Sequence, residues 1–165
     1  MENLEIERKY LICMPERALL AALPSSEIEQ IYLLSPDGER ARVRRRVYGD
    51  GRTVLTHTAK KRVSELSRVE MEEEIGEAEF ERCLTSADPA RSPLRKTRYL
   101  LEYKNQLFEI DCFPFWTDRA LMEIELRSES QPIELPPAIK IVREVTFDKR
   151  YSNHAISREI PREEL

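Results

Sequence analysis

Charged and apolar residues alternate along most of the chain, beginning with Glu5-Ile6-Glu7-Arg8-Lys9-Tyr10-Leu11. A repeat of two is the period of a β-strand, whose successive side chains point to opposite faces. The same alternation recurs at residues 28–34, 39–48, 52–61, 68–75, 94–104, 106–113 and 120–127, which with the first segment predicts eight strands, enough to close a small barrel. Short turn sequences, Pro36-Asp37-Gly38, Gly49-Asp50-Gly51 and Lys104-Asn105, separate consecutive segments and predict antiparallel hairpins. Pro15 to Leu23 and Glu77 to Ala87 instead place apolar residues at helical spacing and are expected as helices outside the sheet. Between Ile139 and Ile160 the pattern is mixed: Val145 and Phe147 read as strand, and Ser152 to Ile156 as a short helix. No repeat, low-complexity tract or linker divides the chain, so residues 1–165 are expected to form one domain, mainly β (α+β) in class.

Two arrangements satisfy this alternation. An ordinary barrel or sandwich turns its apolar positions inward and its charges to solvent. In the other, Leu4, Ile6, Tyr10, Ile12, Val69, Met71 and Ile75 pack outward beneath the two helices, and the charged positions line the lumen. That interior would hold Glu5, Glu7 and Lys9; Gln30 and Tyr32; Arg40, Arg42 and Arg44; Thr56, Thr58 and Lys60; Glu70, Glu72 and Glu74; Lys96 and Arg98; Glu109 and Asp111; and Glu123 and Glu125. Unmatched charge in a low-dielectric interior is so costly that such a lumen must be wet, cross-paired and completed by ligands. Same-face neighbours lie about 7 Å apart, so each strand presents a row of like charge. Carboxylate rows call for a cation and guanidinium rows for an anion. Oxygen-only acidic rows suit Mg²⁺ or Mn²⁺ rather than zinc, and the basic rows suit phosphate. The histidines are His57, of the opposite parity to Thr56 and Thr58, and His154.

Composition narrows the classes further. With 35% charged residues but a net charge of -4, the 165-residue chain lacks the basic excess of a protein that coats nucleic acid. The run Arg40 to Arg46 has no interleaved aromatic platform for RNA. Met1 to Glu5 has no basic start leading into an apolar stretch, and no apolar run reaches bilayer length, so a cytoplasmic protein without a nucleic-acid or membrane partner is expected. Cys13, Cys83 and Cys112 form no CxxC pair and read as reduced packing residues. Its four glycines include no P-loop or dinucleotide fingerprint, and GxSxG and HExxH are absent.

Glu5-Ile6-Glu7-Arg8-Lys9 resembles the ExExK signature of the CYTH domain, or triphosphate tunnel metalloenzyme, superfamily. More specific is the ordered set that follows: Gln30-Ile31-Tyr32-Leu33, Arg42-Val43-Arg44, Thr58-Ala59-Lys60, Ser67-Arg68-Val69-Glu70-Met71-Glu72, Lys96-Thr97-Arg98, Glu109-Ile110-Asp111, Glu123-Ile124-Glu125 and Glu144-Val145-Thr146 leading to Arg150-Tyr151-Ser152-Asn153. The resemblance covers nearly the whole chain and implies an eight-stranded antiparallel tunnel, open through the middle, with the segment around Lys149 over one mouth. It further implies metal ligation by Glu5, Glu7, Glu123 and Glu125, with Asp111 and Glu72 as further acidic wall. Arg42, Arg44, Lys60 and Arg98 would grip phosphates, while Lys96, Lys9 and Tyr32 would act in catalysis. The expected activity is a Mg²⁺- or Mn²⁺-dependent phosphoanhydride hydrolase acting on tripolyphosphate or a related triphosphate, as a monomer or homodimer. The alternatives are a class IV adenylate cyclase and a non-catalytic polyphosphate- or nucleotide-binding module.

Overall fold

The computed structural model describes residues 2–37 and 39–165, with side chains from Asn3 onward, so Gly38 of the first turn lies outside the described residues. Strands run β1 (Glu2–Cys13), β2 (Ser25–Leu33), β3 (Glu39–Tyr48), β4 (Thr53–Arg62), β5 (Ser67–Glu74), β6 (Leu94–Tyr103), β7 (Gln106–Cys112), β8 (Arg119–Glu125) and β9 (Ile141–Glu144). They form one antiparallel sheet in the order β5-β4-β3-β2-β6-β7-β8-β1-β9, and pairing of β5 with β1 closes the first eight into a barrel. β5 pairs with Glu2–Ile6 and then departs, which frees the same edge of β1 for β9 at Tyr10–Ile12. Lys104 and Asn105 both take positive φ, 47° and 58°, as the tight turn between β6 and β7 requires.

The helices are α1 (Arg17–Ala21), α2 (Glu77–Leu84) and α3 (Asn153–Ile156), the last capped by the Ser152 hydroxyl accepting from the Ala155 amide. Outside the barrel, α2 sets Phe80 against Leu33, Val43, Leu55 and Ile75. The outer face of β1, β7 and β8 buries Ile6, Tyr10, Ile12, Phe108, Ile110 and Met122. Its cover comes only in small part from α1, through Leu19; the irregular segment from Leu126 to Ile141 supplies Leu126, Ile133 and Ile139. The expectation that two helices cover the outer face is therefore corrected. Leu4 and Met71 are 58% and 52% exposed.

The C-terminal segment also differs from its reading. Val145 and Phe147 follow β9 rather than forming a strand: Val145 is buried, and Phe147 is 54% exposed. A 3₁₀ turn at Lys149–Tyr151 and α3 carry Val145, Tyr151 and Ile156 onto the inward-facing Leu11, Leu94, Phe113 and Leu121. One end of the lumen is thus filled with apolar side chains on the β6–β8 side, so the interior is not charged along its full length. No described helix is long and apolar enough to cross a membrane.

Candidate active site

Barrel register sets the charged positions opposite one another. Glu7 aligns with Glu125, Lys9 with Glu123, Gln30 with Arg44, Tyr32 with Arg42, Lys60 with Glu70, and Arg98 with Asp111. Alternation gives each strand one inward row, and antiparallel pairing joins the rows into a continuous wall.

On the β6–β7 side the row is closed upon itself. Arg98 donates through Nε and Nη2 to the two Asp111 oxygens at 2.8 and 2.9 Å, and through Nη1 to Glu109 at 2.7 Å. Lys96 Nζ donates to Asp111 Oδ2 at 2.7 Å, with Asn153 Oδ1 of α3 at 3.4 Å, and the side chains of Lys96 and Asp111 are 0% and 1% exposed. Burial works against Asp111's charge, but Arg98 and Lys96 outweigh it and hold the carboxyl well below its ordinary range. Burial lowers the Lys96 ammonium to about 7 against Asp111's opposing pull.

The facing wall is short of partners. Among the described residues, Arg42 and Arg44 each bury an Nε without a hydrogen-bond partner, and Arg44 Nη2 reaches only Gln30 Oε1, at 3.3 Å. Burial, then Arg42 and Arg98, depress Arg44 to about 9. Lys60 Nζ lies 2.9 Å from Glu5 and 3.5 Å from Glu70. Lys9 Nζ donates to the Tyr151 carbonyl at 3.1 Å and sits 3.1 Å from Glu123 Oε1, off that oxygen's hydrogen-bonding direction. Burial opposes the Lys9 charge, yet Glu123 and Glu7 raise its pKa; Glu123, despite burial, is drawn down to about 2 by Lys9.

A cavity of about 560 Å³ opens on the β2–β5 side, between the barrel wall and the segment from Val145 to His154. Glu7, Lys9, Tyr32, Arg42 and Lys60 line it. Tyr32 accepts from Gln30 Nε2 at 3.1 Å, and its ring meets His154 edge-on at 5.0 Å between centroids. Lys96, Arg98, Arg44, Asp111 and Glu123 are not among the residues that line it, nor are Glu5 and Glu125. Glu72 accepts from Thr58 at 3.1 Å. Glu125 is exposed by its surface area, and partial desolvation, then the Glu5 carboxylate, raise its pKa. Alternation did not reveal Asn153 and the Tyr151 carbonyl, because both reach the site through chain folding after β9.

Glu7 is the carboxylate most in need of a cation. Among the described residues it makes no hydrogen bond or ion pair, and burial, then Glu123, raise it to about 7. No three His, Cys, Asp or Glu side chains among the described residues converge closely enough to hold a metal unaided.

A closed antiparallel barrel with inward Glu, Lys and Arg rows is the frame that the comparisons recognise: a CYTH domain profile matches residues 3–151, and the chain belongs to the CYTH family. The curated inorganic triphosphatase of Nitrosomonas europaea is 35% identical over 95% of this chain and 99% of its own. The crystal structure of an inorganic triphosphatase is 32% identical, with a TM-score of 0.59 over 95% of this chain and 96% of that one. A putative adenylate cyclase from Bacillus halodurans, at 15% identity, shares the fold alone, with a TM-score of 0.53 over 78% of this chain and 83% of its own.

Proposed function

We propose that this chain is a metal-dependent triphosphatase that hydrolyses inorganic tripolyphosphate, or a related triphosphate, to release phosphate. The carrying observation is Arg42 on β3, whose buried Nε is unsatisfied among the described residues and which lines the cavity together with Lys9 and Lys60. Phosphate oxygens are the acceptors that guanidinium forks fit best. The 35% identity to an inorganic triphosphatase supports the same reading.

Phosphoryl transfer asks the protein mainly to position the chain and stabilise charge, so water is a sufficient nucleophile. Arg42 and Lys60 bind the phosphates, with Arg44 the next basic group inward on β3. Lys9, held by Glu123 and the Tyr151 carbonyl, presents fixed positive charge to the departing phosphate, and the Tyr32 hydroxyl orients it. Lys96 and Asp111 hold Arg98 in place. Glu7, with Glu5 and Glu123 near it, fits a hard divalent cation such as Mg²⁺ or Mn²⁺, because a poorly matched carboxylate is stabilised by one. When bound, the cation would neutralise charge on the phosphate oxygens, with phosphate and water completing its ligands.

Phosphate release from tripolyphosphate, thiamine triphosphate and ATP, with and without EDTA, tests this. Release from tripolyphosphate that EDTA abolishes is expected, and no release from any of the three removes the proposal. The exposed Phe147 on the cavity rim favours a second reading, a class IV adenylate cyclase, which cyclic AMP formed from ATP would establish.

A further inference from the structure

Beyond Glu159 the tail has no regular structure, and among the described residues no backbone–backbone hydrogen bond reaches 160–165. Side chains hold it, and Glu163 is where they meet. Its carboxylate accepts from Arg143 Nη2 at 2.6 Å and from the Tyr151 hydroxyl, and its carbonyl accepts from Arg119 Nη1 at 2.6 Å. Arg143, on β9, also donates to Asp148 at 3.0 Å, so one guanidinium joins the 3₁₀ turn to the tail. Hydrogen bonds from Arg143 and Tyr151 hold the Glu163 carboxyl below its ordinary range. Burial, then Glu163, pushes the Tyr151 hydroxyl up to about 12, so it stays a donor.

Tyr151 faces the site with its backbone. Its carbonyl accepts from Lys9 Nζ at 3.1 Å, and Lys9 lines the cavity. The Lys9 main chain is tied separately: its carbonyl accepts from the Val145 amide at 2.8 Å, and its amide donates to Thr146 Oγ1 at 2.9 Å. The ammonium end, by contrast, is set by Glu123 and by where the Tyr151 carbonyl sits. The Tyr151 ring is fully buried against Trp116 and Leu121, but apolar packing is non-directional, whereas a hydrogen bond at the ring's tip fixes how deep the ring sits. We propose that Glu163 is a positioning residue of the active site: by gripping the Tyr151 hydroxyl it sets the Tyr151 carbonyl, and through it the Lys9 ammonium, against the departing phosphate. The role given to Lys9 rests on the triphosphatase reading.

Hydrogen exchange of the intact chain without substrate reads the grip itself. The Asp148 and Tyr151 amides donate to the Val145 and Asp148 carbonyls. In Glu163→Ala both should exchange about 10-fold faster, while amides of β6 and β7 keep wild-type rates. Steady-state hydrolysis of tripolyphosphate in Mg²⁺ reads the positioning. There kcat should fall about 10-fold with KM within about twofold, because Lys9 acts on the departing phosphate rather than on binding. Tyr151→Phe keeps the buried ring and removes only the hydroxyl; it should reproduce that loss, and adding Glu163→Ala to it should cause no further fall. Glu164→Ala removes the same charge at the neighbouring exposed position and should leave kcat unchanged. Unchanged exchange in Glu163→Ala, a lowered Tm with kcat intact, or additive losses in the double variant overturns the proposal. If the wild type does not hydrolyse tripolyphosphate but both single variants speed exchange alike, the grip on Tyr151 stands and the hydrolase reading falls.

Discussion

Two walls of one barrel carry similar residues in opposite states. On β6 and β7, Lys96, Arg98, Glu109 and Asp111 satisfy one another at 2.7–2.9 Å, with only Glu109 partly exposed. On β3, Arg42 and Arg44 have Nε atoms without a partner among the described residues, and Arg42 opens on a cavity. The difference comes from register. Arg98 faces Asp111 across its pair, whereas Arg42 and Arg44 face Tyr32 and Gln30 on one side and Thr58 and Thr56 on the other. Charge that meets its opposite fixes the barrel, while charge that meets neutral side chains is left for a ligand.

The strongest way to break this contrast is Asp111→Asn, which strips the closed wall of its central anion. Removing one partner of a buried ionic network should cost about 3–5 kcal/mol in denaturant unfolding. A change under about 1 kcal/mol would mean that this wall does not hold the fold. Arg42→Ala should behave in the opposite way. Losing charge-assisted contacts to phosphate lowers kcat/KM for tripolyphosphate about 10- to 100-fold. Stability is kept or gained, because Arg44 is relieved of a like-charged neighbour. Clear destabilisation with unchanged kcat/KM would place Arg42 among the structural residues.

Glu7 sharpens the comparison through pH. Burial and Glu123 raise its folded pKa from 4.5 to about 7, so between those values the folded state binds more protons than the unfolded. Its stabilising contribution is complete below pH 4.5 and is lost as pH rises through about 7. In EDTA, the fall in wild-type Tm between about pH 4.5 and about pH 7 should therefore flatten in Glu7→Gln; parallel curves contradict it. The smallest effect belongs to the outward pair Arg8–Glu144, 2.9 Å long with side chains 29% and 33% exposed. Arg8→Ala should alter stability by less than about 1 kcal/mol in the same unfolding measurement, because solvent screens such pairs.

Parity made the barrel legible. Residues 39–48 form β3 as read, and the expected 106–113 ends one residue sooner, at Cys112. Parity assigns a side chain to a face but cannot name its occupant. Leu11, Phe113 and Leu121 have the same inward parity as Lys9, Asp111 and Glu123, yet they meet Val145, Tyr151 and Ile156. The strand at Ile141–Glu144 depends on an edge of β1 that β5 vacates after Ile6, a tertiary event without a local signal. For the same reason the inward rows of the candidate site could be read from the sequence, but the division into paired and waiting charge could not. It depends on which strands become neighbours and at what register.

The most direct measurement follows tripolyphosphate by ³¹P NMR in the presence of the purified chain and Mg²⁺. Hydrolysis at the waiting wall predicts orthophosphate and pyrophosphate appearing in equal amounts, halted by EDTA and slowed by Arg42→Ala. An unchanged tripolyphosphate spectrum, or equal rates for Arg42→Ala and wild type, would contradict the assignment of that wall to phosphate.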